Sequence, residues 1–101
     1  MPATKVICYR TKPEHADENE RLIRAVFAEL AEESPDGLHY TALRLDDGVS
    51  FVHVAVVDGD VNPLNTSPAF AAFQAGIAER CAEGPVPADA TTLGSFRLYP
   101  S

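Results

Sequence analysis

The feature that most constrains this fold is a short strand with apolar side chains on both faces. Residues 51–57 read FVHVAVV, and alternate side chains of a β-strand point to opposite faces of the sheet. One face carries three valines, and the other carries a mixed set: Phe51, His53, Ala55 and Val57. A strand with one solvated face would alternate apolar and polar residues. The sequence therefore predicts a sheet that is covered on both sides.

The rest of the chain predicts three more strands and two helices. Strands are predicted at residues 5–10, 38–45 and 91–99, besides the strand at 49–57, and residues 84–90 are predicted to form a connector. A first helix begins in the acid-rich stretch at 14–20 and ends at the turn 34–37, where proline and glycine disfavour its continuation. Glutamates 29, 32 and 33 lie near the end of this helix and oppose its dipole. A second helix has Thr66 or Ser67 as its N-cap and Pro68 as its first residue, and it runs to about Glu83.

The order β-α-β-β-α-β predicts one α+β domain over residues 1–101, with a ferredoxin-like fold. In that fold two helices cover one face of a four-stranded antiparallel sheet whose first and third strands are central. A second copy of the chain is the simplest cover for the other face, and we therefore predict a homodimer with a space between the two sheets. Val52, Val54 and Val56 are expected to face the helices, which directs His53 toward the partner's sheet.

The hairpin at Asp46-Asp47-Gly48 decides which side chains share a face with His53. A three-residue loop places Thr41 opposite His53, with His39 on the diagonal. A tighter Asp47-Gly48 turn places Ala42 opposite His53 instead, with Tyr40 and Arg44 on the diagonals. The first register offers two imidazoles and a hydroxyl, and the second suggests binding of an anion or a carbonyl group.

Composition excludes several classes of function. The net charge of −7 argues against nucleic acid and anionic membranes as partners, since both require clustered cations. The two cysteines, Cys8 and Cys81, belong to no CxxC pair and no zinc-ligand spacing, which predicts buried thiols, no metal and no cofactor. No apolar run is long enough to span a membrane, and no signal peptide precedes the first strand, so a cytoplasmic location is expected.

Four segments carry a resemblance to a known family, namely YRTKP, SPDGLHY, RLDDGVSFVHVAVV and NPLNTSPAFAAFQ. With these segments the chain resembles the dimeric α+β barrel superfamily, and within it the antibiotic biosynthesis monooxygenase-like proteins, over nearly its whole length. The resemblance implies a homodimer and a pocket between its sheets. It also implies the possible activity of a cofactor-independent oxygenase that acts on a small aromatic or polyketide-like molecule. The family's oxygenases use a tryptophan in their pocket, and this sequence contains none. The resemblance therefore brings a fold and a pocket, without an assigned reaction.

The candidate pocket residues are His53, His39, Thr41, Phe51 and Tyr9, and His53 is the strongest of them. Two neutral histidines could act as a base and a hydrogen-bond donor near pH 7. The alternative is that His53 is a structural residue whose nitrogens are hydrogen-bonded, as buried polar groups usually are. Two hypotheses on function follow: an oxygenase or isomerase without a cofactor, or a non-enzymatic dimer that binds a small ligand or has a structural role.

Overall fold

The structure is a computed structural model, and it describes residues 3–96. These residues form a four-stranded antiparallel sheet in the order β2-β3-β1-β4, which places the first and third strands in the middle as predicted. The helices pack on one face of the sheet, so the ferredoxin-like α+β architecture is confirmed. The elements are β1 (Ala3–Thr11), α1 (Ala16–Glu33), β2 (Leu38–Arg44), β3 (Ser50–Val57), α2 (Pro68–Ala75), α3 (Ile77–Arg80) and β4 (Cys81–Ala90), with short 3₁₀ turns at Pro13–His15 and Pro63–Thr66.

Helix α1 ends where the sequence predicts, because Ser34 adopts the left-handed conformation and its N–H bonds to the carbonyl of Leu30. The helix buries Ile23 and Val26 against the sheet. The structure also explains one of the glutamates that oppose its dipole. Glu29 accepts hydrogen bonds from the Ser67 hydroxyl and, at 3.4 Å, from the N–H of Ala69. Its carboxylate therefore serves the positive N-terminus of α2.

The start of the second helical segment is also confirmed. Ser67 is the N-cap, its hydroxyl accepts from the N–H of Phe70 at 3.0 Å, and Pro68 is the first helical residue. The predicted single helix to Glu83 is wrong, since α2 ends at Ala75 and the short α3 follows Gly76. A side chain at Gly76 would have its Cβ 3.0 Å from Nη1 of Arg80. Glycine at this break therefore leaves room for Arg80 to turn inward.

The fourth strand was predicted in the wrong place. It occupies Cys81–Ala90, the segment expected to be helix end and connector, and residues 91–96 form no strand. Residues 97–99 of the predicted strand lie outside the described residues. Pro85 and Pro87 suggested a connector, because proline has no N–H group to donate within a sheet. However, β4 is an edge strand, and the N–H groups of residues two apart point to the same side of a strand, which at an edge can be the unpaired side. An edge strand tolerates these prolines, and the pairing with β1 shifts register near Gly84.

The faces of the central strands are the reverse of the prediction. Ala42 pairs with His53, which is the register of the tighter-turn alternative, although the loop between Leu45 and Ser50 holds four residues. His53 and Phe51 are buried beneath the helices, and the His53 ring lies 5.5 Å from the ring of Phe73 in α2. The opposite side of the sheet, which we call the open face, carries Val6, Cys8, Thr41, Leu43, Val52, Val54, Val56 and Val86.

Candidate functional site

A cavity of about 510 Å³ lies between the sheet and the helices. Its volume is within the range of roughly 300–1,000 Å³ that is usual for small-molecule sites. Its walls are mainly apolar and come from β1, β3, β4, α2, α3 and the 3₁₀ turn before α2, with the residues Ile7, Ala55, Val57, Leu64, Phe70, Phe73, Ile77, Pro85 and Pro87. Polar groups are placed at its ends, where His53, Tyr9 and Tyr40 form one end.

His53 is 3% exposed, and both of its ring nitrogens are hydrogen-bonded. Nε2 lies 2.8 Å from the hydroxyl of Tyr9, and Nδ1 lies 2.6 Å from the hydroxyl of Tyr40. These contacts follow from the sheet, since Tyr9 on β1 and Tyr40 on β2 flank β3 on the helix side. The Tyr40 ring also stacks on Phe27 of α1, with centroids 4.9 Å apart. Two tyrosines and a helix therefore hold the imidazole in one orientation.

Two further buried residues extend this cluster into the protein. Asn19 of α1, which is fully buried, donates from Nδ2 to the Tyr9 hydroxyl at 2.9 Å. Arg80, at the end of α3, donates from Nε to Oδ1 of Asn19 at 3.0 Å and from Nη2 to the carbonyl of Phe73. Its guanidinium also lies over the Phe73 ring, 5.3 Å from the centroid. The cluster is a continuous chain from Arg80 through Asn19, Tyr9 and His53 to Tyr40.

Burial controls the protonation states of His53, Tyr9 and Tyr40 in this hydrogen-bonded cluster. Desolvation lowers the pKa of His53 from 6.5 to about 4, so the imidazole is neutral at pH 7. Desolvation also raises the pKa of Tyr9 to about 12, and it raises the pKa of Tyr40 above its usual value of 10. Both phenols therefore keep their protons. A neutral imidazole with so low a pKa is a weak proton acceptor, whereas two neutral phenols are hydrogen-bond donors.

The structure separates the five predicted site residues. His53 and Tyr9 line the polar end of the cavity, and Phe51 is fully buried with its ring stacked on Tyr9 at 5.4 Å. Thr41 pairs with Val54 on the open face, and His39 is exposed near the end of β2 with Nε2 3.3 Å from Asp58 Oδ2. His39 and Thr41 therefore do not share a face with His53, because the hairpin register shifts the parity of β2 by one residue.

Arg44, the other diagonal residue of the tighter-turn register, is paired with two carboxylates of α1. Its Nη1 contacts Asp17 at 3.2 Å and Glu20 at 2.8 Å, and its Nε donates to the carbonyl of Gly48. Asp17 and Glu20 of α1 pair with the charge of Arg44, and the hydrogen bonds that Glu20 accepts from Arg44 and Arg24 lower the pKa of Glu20. Arg44 therefore closes the hairpin onto α1 and lies away from the cavity.

Sequence reasoning missed Asn19 and Arg80. Asn19 lies in the polar stretch ADENE, which is typical of an exposed first turn, and the sequence gives no sign that its amide is buried. For Arg80 a signal existed, since a glycine four residues earlier allows a close approach to the helix. Tyr40 was named as a neighbour of His53 only in the tighter-turn register, which the structure adopts.

Within residues 3–96 no group of three or more His, Cys, Asp or Glu side chains is arranged to hold a metal ion. The absence of a metal and of a cofactor stays a prediction. In the same part of the chain no helix has the length and apolar character that crossing a membrane requires.

Cavity and fold together define the class: a small ferredoxin-like α+β protein with an apolar cavity between helices and sheet. No protein-family model matches the sequence, and no curated protein matches it. Solved structures match it closely in shape. The protein Rv0793 from Mycobacterium tuberculosis has a TM-score of 0.74 at 17% identity, over 94% of this chain and 98% of that chain.

Two further structures extend the comparison. A Bacteroides thetaiotaomicron protein, provisionally named an antibiotic biosynthesis monooxygenase, has a TM-score of 0.77 at 14% identity, over 91% of this chain and 90% of that chain. SnoaB, a cofactor-independent oxygenase from Streptomyces nogalater, has a TM-score of 0.68 at 18% identity, over 95% and 97%. The chain therefore has the fold of the antibiotic biosynthesis monooxygenase-like proteins, as the sequence resemblance implied.

Proposed function

We propose that this protein binds a small, flat and mainly apolar molecule in the cavity between helices and sheet, with an oxygen of that molecule at the Tyr40–His53 end. The observation that carries the proposal is the shape and polarity of the cavity. Its walls are mainly aliphatic and aromatic, and the hydroxyls of Tyr9 and Tyr40 meet His53 at one end of it. An aromatic ketone or phenol matches this distribution, because its rings replace water along the walls and its oxygen meets the hydroxyl of Tyr40.

We further propose that the protein oxygenates such a molecule without a bound cofactor. The support is the fold that it shares with a cofactor-independent oxygenase, which is an argument by likeness. The site adds a chemical reason, since a neutral donor near a carbonyl stabilises the enolate that forms when the neighbouring carbon loses a proton. That enolate supplies electrons to O₂, so a methylene group becomes a carbonyl group and the second oxygen atom leaves as water.

The low pKa of His53 favours a second candidate function, that of a ligand-binding protein without catalysis. His53 is a weak base, and both of its nitrogens already have partners. An oxygenase would then depend on the intrinsic acidity of its substrate. In either function the ligand occupies the same cavity, so one experiment separates them.

That experiment uses anthrone, a tricyclic ketone with an acidic methylene group, as the probe. Purified protein is titrated with anthrone under nitrogen and its thermal midpoint is followed, because a molecule that binds the folded state raises its stability. Air is then admitted, and oxygen uptake and anthraquinone formation are measured against the protein-free rate. We expect Tyr40→Phe to reduce binding and turnover and His39→Gln, on an exposed residue, to change neither. Binding with an unaltered oxidation rate would support the non-catalytic function, and no thermal shift would contradict the proposal.

The open face supports the proposal that two chains assemble through their sheets. Its middle is formed by valines of β1 and β3, with Leu43 and Val86 on the outer strands half or more exposed. Among the described residues of β1, β3 and β4 on this face, the charged side chains are Arg10 and Glu83, which form an ion pair near one end. An uncharged apolar patch on a twisted sheet is a self-complementary surface for a two-fold dimer. We propose this homodimer, with one cavity per chain rather than a shared pocket between the sheets.

A cytoplasmic location is likewise a proposal. Cys8 and Cys81 are free thiols. Free thiols are common in proteins of a reducing compartment. Cell fractionation of the tagged chain would test this.

A further inference from the structure

The buried series of hydrogen bonds from Arg80 to Tyr40 has a defined direction of donation. Arginine has only donor groups, so the Asn19 atom that meets Arg80 Nε must be the carbonyl oxygen Oδ1. The amide nitrogen of Asn19 consequently faces Tyr9, and it donates to the phenolic oxygen at 2.9 Å. The orientation of this amide therefore follows from the charge of Arg80.

The same reasoning determines the next two protons. Because the Tyr9 oxygen accepts from Asn19, the proton of Tyr9 is available to His53 Nε2, 2.8 Å away. A Nε2 atom that accepts leaves the proton of the neutral imidazole on Nδ1. Nδ1 then donates to the Tyr40 oxygen, and the hydroxyl proton of Tyr40 is directed away from the imidazole. Tyr40 lines the cavity, where a ligand oxygen can accept that proton.

The opposite direction leaves a buried proton without an acceptor. If Nε2 carried the proton, the Tyr9 oxygen would accept from both His53 and Asn19. Its own proton would then find no acceptor among the hydrogen bonds of residues 3–96, and Tyr9, at 5% exposed, is buried more deeply than Tyr40, so an unpaired donor costs more there. The direction with Nδ1–H pairs the protons of Tyr9 and His53 and leaves the proton of Tyr40 to be offered to the cavity.

We propose that Arg80 and Asn19 are positioning residues that fix His53 in its Nδ1–H form, so that Tyr40 donates into the cavity and selects ligands whose inner end is a carbonyl or enolate oxygen. This inference rests on the proposed ligand site and specifies its chemistry. The site is therefore a donor site, and a ligand with a donor group at that end, such as an amine, loses the match.

The choice of asparagine at position 19 supports this role. Arg80 is 5% exposed and takes part in no ion pair within residues 3–96. An aspartate at position 19 would be isosteric and would pair with this cation, so stability alone would favour it. An aspartate accepts at both oxygens, however, and would take the proton of Tyr9. His53 would then donate from Nε2 to Tyr9, and Tyr40 would have to donate to Nδ1. Only the amide of asparagine orients the hydrogen bonds so that the hydroxyl of Tyr40 donates into the cavity.

The substitution Asn19→Asp therefore tests the direction of donation in this series of hydrogen bonds. In protein labelled with ¹⁵N-histidine, the two ring-nitrogen shifts report which nitrogen carries the proton. At pH 7 we expect the Nδ1–H form for His53 in the natural protein and the Nε2–H form in N19D. Signals of the other two histidines are identified with His15→Gln and His39→Gln. A purely structural role for Asn19 would leave the tautomer unchanged.

Ligand discrimination provides the second measurement. Anthrone is compared with 9,10-dihydroanthracene, which has the same skeleton with a methylene group in place of the carbonyl group. The natural protein should prefer anthrone, and this preference should fall roughly three- to tenfold in N19D and in Tyr40→Phe, the usual effect of one lost hydrogen bond. His39→Gln should leave it unchanged.

The two arms separate the inference from the proposed function. Nε2–H in the natural protein, or Nδ1–H retained in folded N19D, would overturn the inference whatever the probes do. If neither probe binds the natural protein, the proposed ligand class fails, and the tautomer arm alone decides the role of Arg80 and Asn19. A folded N19D with the reversed tautomer and an unaltered preference for anthrone would overturn the selection of ligands by Tyr40.

Discussion

The two faces of the sheet differ in a way that reverses a common expectation. The face under the helices contains the polar groups, with His53 and both tyrosines among aromatic rings. The open face contains the uniform row of valines 52, 54 and 56, each only partly buried. The expectation that the uniformly apolar row belongs to the core was wrong.

The difference shows that a polar side chain can be buried when the neighbouring strands supply its hydrogen-bond partners. Both nitrogens of His53 are bonded to tyrosines of the neighbouring strands, so its burial leaves no unpaired polar atom. Val52, Val54 and Val56 lie on the other side of the sheet, where no helix of residues 3–96 packs on them. An apolar row that is left open indicates an interface.

The largest expected effect comes from a charge at the centre of the open face. Val54 pairs with Val6 and Thr41 in the middle of the sheet. In the proposed dimer Val54→Asp would bury two unpaired carboxylates, which costs about 3 kcal/mol or more and weakens association about a hundredfold. Light scattering at micromolar concentration should show a dimer for the natural protein and a monomer for the variant, with unaltered circular dichroism.

Ala72→Asp is the matched control, because it adds the same charge at an exposed position of α2. It should leave the dimer intact. A natural protein that is monomeric, or a Val54→Asp variant that remains dimeric, would show that the open face is not the interface.

The burial of His53 beneath the helices should make the free energy of unfolding depend on pH. The pKa of His53 is lowered from 6.5 to about 4 by burial, so below pH 6.5 the unfolded chain binds a proton that the folded chain does not. This residue's contribution is complete above pH 6.5 and is lost as the pH falls toward 4. Between pH 7 and pH 5 the free energy of unfolding should fall by about 2 kcal/mol, at 1.36 kcal/mol per pKa unit. Urea titrations at the two pH values measure it.

His53→Leu should flatten this dependence, whatever its effect on stability at pH 7. His39→Gln should keep it, because His39 is exposed on the other side of the sheet. An equal slope in His53→Leu and the natural protein would mean that His53 accepts a proton freely in the folded state, contrary to its burial.

Local signals in the sequence were sufficient for most of the fold. The turn after α1 and the Ser67 N-cap with Pro68 depend on contacts within a few residues, and both are confirmed. The central position of β1 and β3 is also confirmed, and it follows from the order of the elements and the handedness of their crossovers. The position of β4 was missed because its prolines are acceptable only at a sheet edge, which is a property of the assembled sheet. The contact of Asn19 with Arg80 joins residues 61 positions apart, and no periodicity reports such a pair.

The smallest predicted effect concerns the hairpin that decides between the two faces. Gly48 has φ +79°, its N–H bonds to the carbonyl of Leu45, and a Cβ there would come no closer than 4.0 Å to Arg44. Gly48→Ala therefore adds backbone strain without a clash, and it should lower the free energy of unfolding by about 1 kcal/mol. Gly84→Ala, which meets no atom within 4 Å and has no positive φ, should change it much less. The ring-nitrogen signals of His53 should stay as in the natural protein, since only a one-residue slip of β2 would move Tyr40 to the open face and remove the partner of Nδ1. A Gly48→Ala variant that is as stable as the natural protein, or that alters those signals, would show that the four-residue loop does not determine which face His53 occupies.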